Sequence, residues 1–189
     1  MFACRSILPA AVALTVLCGA GRAGAAGVFT LSSADFKDGE RLALKNAGNN
    51  KANPNCIGEN ISPALNWSNP PDGTRSYALL MIDPEGRQGA GVIHWVAYGI
   101  PVSVSGFAEG EVSGPSDKYV GGVGTAKLTH YTGPCTPSGT APHHYTFTLI
   151  ATDLDPKALQ PGLTREDLFK ALEGHAKQAT GLIGTFSRP

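Results

Sequence analysis

Two mostly apolar runs dominate the hydrophobic pattern of this chain: residues 77–82 (YALLMI) and a second run, VIHWVAY, ending at Tyr98. Between them lies a polar, glycine-punctuated segment that starts Asp83-Pro84-Glu85. Short apolar runs bracketing such a segment read as core strands that present its side chains at one edge of a sheet. Asp83 then stands where the first strand ends. Pro84 disfavours helix at Asp83 and fixes the chain direction just after it, so the carboxylate is aimed by the backbone. His94 and Trp95 lie on the second strand, beyond the glycines.

The same reading assigns an opening strand at 28–32, a turn at Asp38-Gly39, a resumed sheet at 65–67 and a turn through Asn69-Pro70-Pro71-Asp72-Gly73. In HHYTFTLIAT, from His143 to Thr152, Tyr145, Phe147, Leu149 and Ala151 alternate as one buried face of a strand requires. Residues 45–63 have neither period and read as a long surface loop, of a kind that in a compact domain is functional or pinned. Residues 103–127 are too weakly periodic to assign. Only the end is helical in pattern: Thr164 as N-cap with Asp167 three residues on, then Leu168, Phe169 and Leu172 at helical spacing. Gly174 breaks or kinks that helix, and 175–183 is expected to continue it. The fold class is mainly β, a sandwich with one or two helices near the C-terminus.

At 189 residues with 15 basic and 15 acidic side chains, the chain fits one domain and lacks the electrostatic footprint of a nucleic-acid binder. The first 26 residues read as a secretory signal, with Arg5 as positive start, a short apolar stretch from Ile7 to Cys18 and small residues at 23–25 for cleavage. This leaves 27–189 as the domain, periplasmic or secreted, with no stable membrane span after processing. Val16 and Leu17 are bulky where small residues would precede a lipidated Cys18. Two cysteines remain, Cys56 and Cys135, both in Pro/Gly-rich loops. In an oxidising compartment an isolated pair is expected to be bridged, with two free thiols as the alternative. Neither has a CxxC or close histidine partner, so no metal site is assigned and no cofactor is expected.

Candidate chemistry lies in three places: Asp83 with Glu85, His94, and residues 133–145. Taken singly, each has an ordinary structural explanation, as a capping carboxylate, a hydrogen-bonded core histidine or a rigid turn. All three, however, sit at strand ends or in loops flanked by core strands. Imidazole, backbone amides and the Tyr145 hydroxyl can donate to an anionic oxygen, while the carboxylates accept from an ammonium group. With Arg87 as the only nearby cation, a strongly polyanionic ligand is disfavoured.

The segments GENISPALNWSNPPDGTRSYALLMIDPEG, HWVAYGIP and YTGPCTPSGTAPHHYTFTLIATD resemble the phosphatidylethanolamine-binding protein family in its bacterial Raf-kinase-inhibitor-like branch. Three separated motifs stand in the family's order over nearly all of residues 29–188. The resemblance implies a large antiparallel β-sheet packed on a smaller one with C-terminal helices, and a small anion pocket at one end. By motif match the ligand-binding residues are Asp83 and Glu85, His94, Gly133 and Pro137 of the GPxxPxG loop, and His143 with Tyr145. Glu85 stands where the family commonly has Asp, and Gly86 departs from the DPDAP run. His144 is expected on the opposite face of its strand. The function implied is an exported binder of a phosphate-bearing or zwitterionic small ligand, not an enzyme, with room for a protein partner acted on as an inhibitor and for a homodimer. The alternative is a hydrolase with His94 or His143 as base and Asp83 as its orienting carboxylate, although no GxSxG element accompanies them.

Overall fold

The computed structural model describes Met1 and residues 27–189. The expected leader, apart from Met1, lies outside the described residues. In chain order the elements are β1 (Thr30–Ser32), β2 (Leu65–Ser68), β3 (Ser76–Asp83), β4 (Val92–Pro101), β5 (Gly106–Phe107), β6 (Val120–Gly121), β7 (His143–Thr152), α1 (Arg165–Leu172) and β8 (Ala176–Phe186). They form a five-stranded sheet in the order β6-β4-β3-β7-β8 and a three-stranded sheet in the order β1-β2-β5, with every pairing antiparallel.

The uninterrupted apolar run of β3 follows from burial on both faces of the large sheet. Alternation sends Tyr77, Leu79 and Met81 toward the small sheet, where they pack with Phe29, Trp67, Trp95 and Phe147. It sends Ala78 and Leu80 to the other face, against Val96, Tyr98, Ile150 and the α1 residues Leu168 and Leu172. A strand covered on both sides loses the polar alternation of a half-exposed one.

Helix α1 begins as its sequence requires, with the Thr164 hydroxyl accepting from the Asp167 amide at 3.2 Å. Phe169 departs from the expected buried stripe. It is 41% exposed and its ring lies under the Arg165 guanidinium. The expected continuation of the helix through 175–183 is also corrected, because these residues belong to strand β8. Ala176, Lys177 and Gln178 favour helix locally, but Gly174 (φ +76°) stops α1 and the open edge of β7 supplies a ladder running from Thr152↔Ala176 to His143↔Phe186. There is therefore one helix near the C-terminus. The free edge of β8 is shielded by residues 39–42: Leu42 N–H donates to the Thr185 carbonyl and Thr185 N–H to the Glu40 carbonyl, both at 2.8 Å.

The segment 103–127 resolves into two strands of two residues each, β5 and β6, joined by turns. Residues 45–63 form the expected loop, and Cys56 is bonded to Cys135. Among the described residues no helix is long and apolar enough to cross a membrane.

Candidate functional site

At one end of the large sheet, strand β3 stops at Asp83 and β7 starts at His143, so the two side chains meet at the shared edge. His143 Nδ1 and Asp83 Oδ2 are 2.8 Å apart, with side chains only 12% and 5% exposed. The second carboxylate oxygen, Oδ1, accepts the Gly86 amide at 2.9 Å, so the turn after Pro84 folds back on the group it aims. The Asp83 carboxylate is thus held by one ring and one amide.

His94 reaches the same place through a bulge. Met81 pairs with Trp95 and Ile82 with Ile93, which leaves His94 as an extra, unpaired residue of β4. In a regular strand His94 would share a face with Val96 and Tyr98. The inserted residue instead turns its ring toward the inter-sheet face, edge-on to Tyr145 with centroids 5.2 Å apart. Its Nδ1 donates to the Thr132 carbonyl at 2.8 Å.

These side chains open on a cavity of about 880 Å³. Asp83, Glu85 and Arg87 come from the turn after β3, His94 from β4, and Thr132, Gly133, Thr136 and Pro137 from the loop before β7. The loop 45–63 closes the far wall with Asn49, Asn50, Asn53 and Asn60. That wall is fixed to the 131–137 loop by several bonds: Gly48 N–H donates to the Pro134 carbonyl at 2.8 Å, and Asn60 Oδ1 accepts Gly133 N–H at 2.8 Å. The Cys56–Cys135 bridge lies in the same wall.

Burial pushes the His94 imidazole below its ordinary value, and the Thr132 carbonyl and the Asp83 charge oppose this without cancelling it. His130, also on the cavity wall, is pushed down by burial alone. Burial pushes the Glu85 carboxyl up, but the His144 ring and amide outweigh it and hold the group down at about 2. Burial drives the Tyr145 phenol well up, and the Asp83 charge adds to this against the hydrogen bond to Thr136.

Asp83, Glu85, His94, Gly133, Pro137 and His143 therefore share one cavity, with two qualifications. Glu85 is tied to His144, whose ring Nδ1 is 2.8 Å from Oε1 and whose amide donates to Oε2 at 3.1 Å. His144 accordingly faces away from the cavity, on the other side of β7 from His143. Tyr145 is fully buried behind the wall, its hydroxyl 2.8 Å from Thr136 Oγ1. It supports the site from beneath and does not line it. Gly133 lines the wall because the chain passes too close for a side chain: a Cβ there would lie 2.0 Å from the Asn46 carbonyl oxygen.

Sequence reasoning did not single out Thr132, Thr136, His130 or the asparagines of 45–63. Thr132 and Thr136 adjoin the GPC motif, and Asn60 sits at φ +61°, a conformation asparagine tolerates. Arg87 and Gln88, both at positive φ, place a guanidinium and an amide at the rim. Asp83, Glu85 and His143 offer ligand atoms within 4.8 Å of one another, a spacing a divalent cation could use, although both carboxylates are already hydrogen-bonded to imidazoles.

The family model for phosphatidylethanolamine-binding protein matches residues 32–187. A UPF0098 protein of Methanothermobacter thermautotrophicus is 39% identical over 137 residues, spanning 70% of this chain and 87% of its own. The putative lipoprotein LppC of Mycobacterium tuberculosis is 34% identical over 168 residues, spanning 87% of this chain and 75% of its own. The crystal structure of Escherichia coli YbcL, described as a member of the mammalian PEBP family, superposes with a TM-score of 0.76 at 25% identity, covering 85% of this chain and 99% of that one. With a matched region running from β1 to the end of β8, and the two-sheet fold that carries it, this chain belongs to the phosphatidylethanolamine-binding protein family.

Proposed function

We propose that the chain is an exported receptor for a small ligand bearing a phosphate or zwitterionic head group, which it binds without transforming. The observation that carries this reading is the cavity at the end of the large sheet, of a volume that suits a small molecule, with Asp83, His94, His143 and Arg87 converging on it. Its walls mix apolar side chains, Val92, Ile93 and Leu128, with polar groups fixed by the protein's own hydrogen bonds. Such preformed cavities orient a ligand with few polar contacts.

Binding is favoured over turnover by the state of the hydroxyls around the cavity. Ser113 Oγ accepts from the Ser62 amide and Thr125 Oγ1 from the Ile93 amide; Thr136 bonds Tyr145, and Thr140 donates to the Pro137 carbonyl. None of these is bonded to His94 or His143, and both described cysteines are in the disulfide. The hydrolase alternative draws on the Asp83–His143 pair, which has the form of a base and its orienting carboxylate. If a panel of esters and phosphoesters is turned over, and His143→Ala removes that turnover, catalysis replaces simple binding.

Export rests on the leader-like sequence at 1–26 and on a disulfide, a bond that persists in oxidising compartments. The lipoprotein name of the mycobacterial relative points the same way. Binding is tested by titrating phosphorylethanolamine and following the His94 and His143 ring resonances. Shifts that saturate, and that disappear in His94→Ala, are expected. Unmoved resonances at millimolar ligand refute the reading.

A further inference from the structure

We propose that the cavity selects tetrahedral oxyanions that carry a proton, namely phosphate and phosphomonoester monoanions, over fully ionised ones such as sulfate, with His94 Nε2 and the Asp83 carboxylate accepting the ligand's hydrogen bonds. This rests on the ligand-binding reading above and narrows it to a chemical class. A carbonyl oxygen can only accept, so the 2.8 Å contact to Thr132 places a proton on His94 Nδ1. In the neutral ring the lone pair is then on Nε2. That atom makes no hydrogen bond among the described residues and is not sealed from solvent, so it opens on the cavity that His94 lines. Burial of the ring opposes a second proton and keeps Nε2 an acceptor.

Asp83 is the second acceptor. Its two oxygens take the Gly86 amide and the His143 ring, one bond each, which leaves lone pairs on a carboxylate that lines the cavity. His94 and Asp83 thus turn acceptors to the ligand at the end of the sheet, while the exposed Arg87 guanidinium and Gln88 amide offer donors at the rim and the asparagines of 45–63 stand across the far wall. A sulfate seated at the end of the sheet sets its own lone pairs against those of His94 and Asp83. Hydrogen phosphate turns a P–OH toward them and offers its ionised oxygens to Arg87. Sites that accept from a ligand proton reject analogues lacking it because their own polar groups are left unpaired.

The titratable and charged groups facing His94 and its ligand are Asp83, Glu85 and Arg87 from β3 and the turn after it, His143 and Tyr145 from β7, and His130 from the loop beyond β6. Changes in these groups with pH act on any anion. The ligand's own proton acts only on one that has it. A phosphomonoester loses its last proton near a pKa of about 6, and sulfate has none to lose in this range.

Calorimetric titration of the protein with inorganic phosphate and with sulfate, at equal ionic strength and about pH 7, tests the proposal. Phosphate is expected to bind at least about tenfold tighter. Methyl phosphate should weaken between about pH 5.5 and pH 8 by more than sulfate does over the same interval. His94→Gln places an amide near the position of Nε2, able to turn an N–H to the ligand, and should bring the phosphate-to-sulfate ratio toward one. If that variant does not fold, the ratio in the unaltered protein still decides. Equal affinities for phosphate and sulfate overturn the selectivity and leave small-anion binding intact. Failure to bind either anion overturns both.

Discussion

Removing the Cys56–Cys135 bridge tests how the cavity wall is held. The bridge closes a loop 79 residues apart in sequence. In the chain-entropy treatment, restraining a loop of that length in the unfolded chain stabilises the native state by about 4.5 kcal/mol. The backbone around it carries its own bonds: Gly48 to Pro134, Asn60 to Ala47 at 2.7 Å, Gly133 to Asn60, and the Tyr131 hydroxyl to the Asn46 carbonyl at 2.8 Å. The native loops should therefore keep their places when the bond is cut, so that the loss falls almost wholly on the unfolded state. For a domain of this size, each kcal/mol moves the melting temperature by about 2–4 °C, which puts the Cys56→Ser/Cys135→Ser variant about 9–18 °C below the oxidised protein. Circular dichroism melts of the variant, and of the oxidised and reduced unaltered protein, measure this. Phosphate titration of the variant at low temperature should be unchanged. A melting temperature within about 3 °C of the oxidised protein refutes the entropic reasoning. A normal melting loss accompanied by lost ligand binding refutes the claim that the hydrogen bonds hold the wall.

Gly133→Ala is expected to destabilise by about 3 kcal/mol, read from the denaturant midpoint, because the new Cβ meets the Asn46, Ala47 and Gly48 backbone, which cannot rotate aside. An unchanged midpoint would place that loop farther away than described. Tyr145→Phe should cost about 1–2 kcal/mol by leaving the Thr136 hydroxyl short of a partner. The phosphate response of His94 and His143 should survive it; its loss would make Tyr145 a ligand contact after all. Because burial depresses the folded-state basicity of His94, the unfolded chain takes up that proton first. The associated stability is complete above the ordinary histidine value and is lost as pH falls from it toward the folded value, with a slope of up to about 1.4 kcal/mol per pH unit. His130 adds to the same slope. Urea unfolding across that range should show the slope shrink in His94→Gln, and an equal slope in both proteins would assign the proton elsewhere.

Where the sequence carried strong local signals, the fold was legible. The run at 77–82, the alternation from His143 to Thr152 and the Thr164 cap each report on the chain's immediate surroundings, and β3, β7 and α1 follow them. Strand β8 does not report itself, because Ala176, Lys177 and Gln178 carry a helical preference that only pairing with β7, on the far side of α1 in the chain, overrides. Strands β5 and β6 are two residues long, shorter than any periodicity can register. Phe169 has the spacing of a core residue, but the buried side chains of α1 are Leu168 and Leu172.

The site divides along the same line. Asp83 could be placed because Pro84 and the strand before it fix where it stands, and His143 because it opens an alternating strand. His94 is assigned to the pocket by the family motif, and the strand pattern around it does not orient it. Plain alternation assigns it to the face of Val96 and Tyr98, under α1 and away from the cavity. What turns it is one residue of extra length in β4 relative to β3, a property of the pairing between two strands and not of either one. The bulge also explains why the ring is pinned by a loop carbonyl, since a residue outside the ladder has no regular neighbour to hold it. The proton on Nδ1, and with it the acceptor at Nε2, follows from that contact with Thr132. The chemistry of the cavity thus depends on strand register as much as on which residues are present: deleting Ile93 would leave every candidate side chain in the sequence, pair His94 with Ile82 and turn the imidazole into the apolar layer beneath α1.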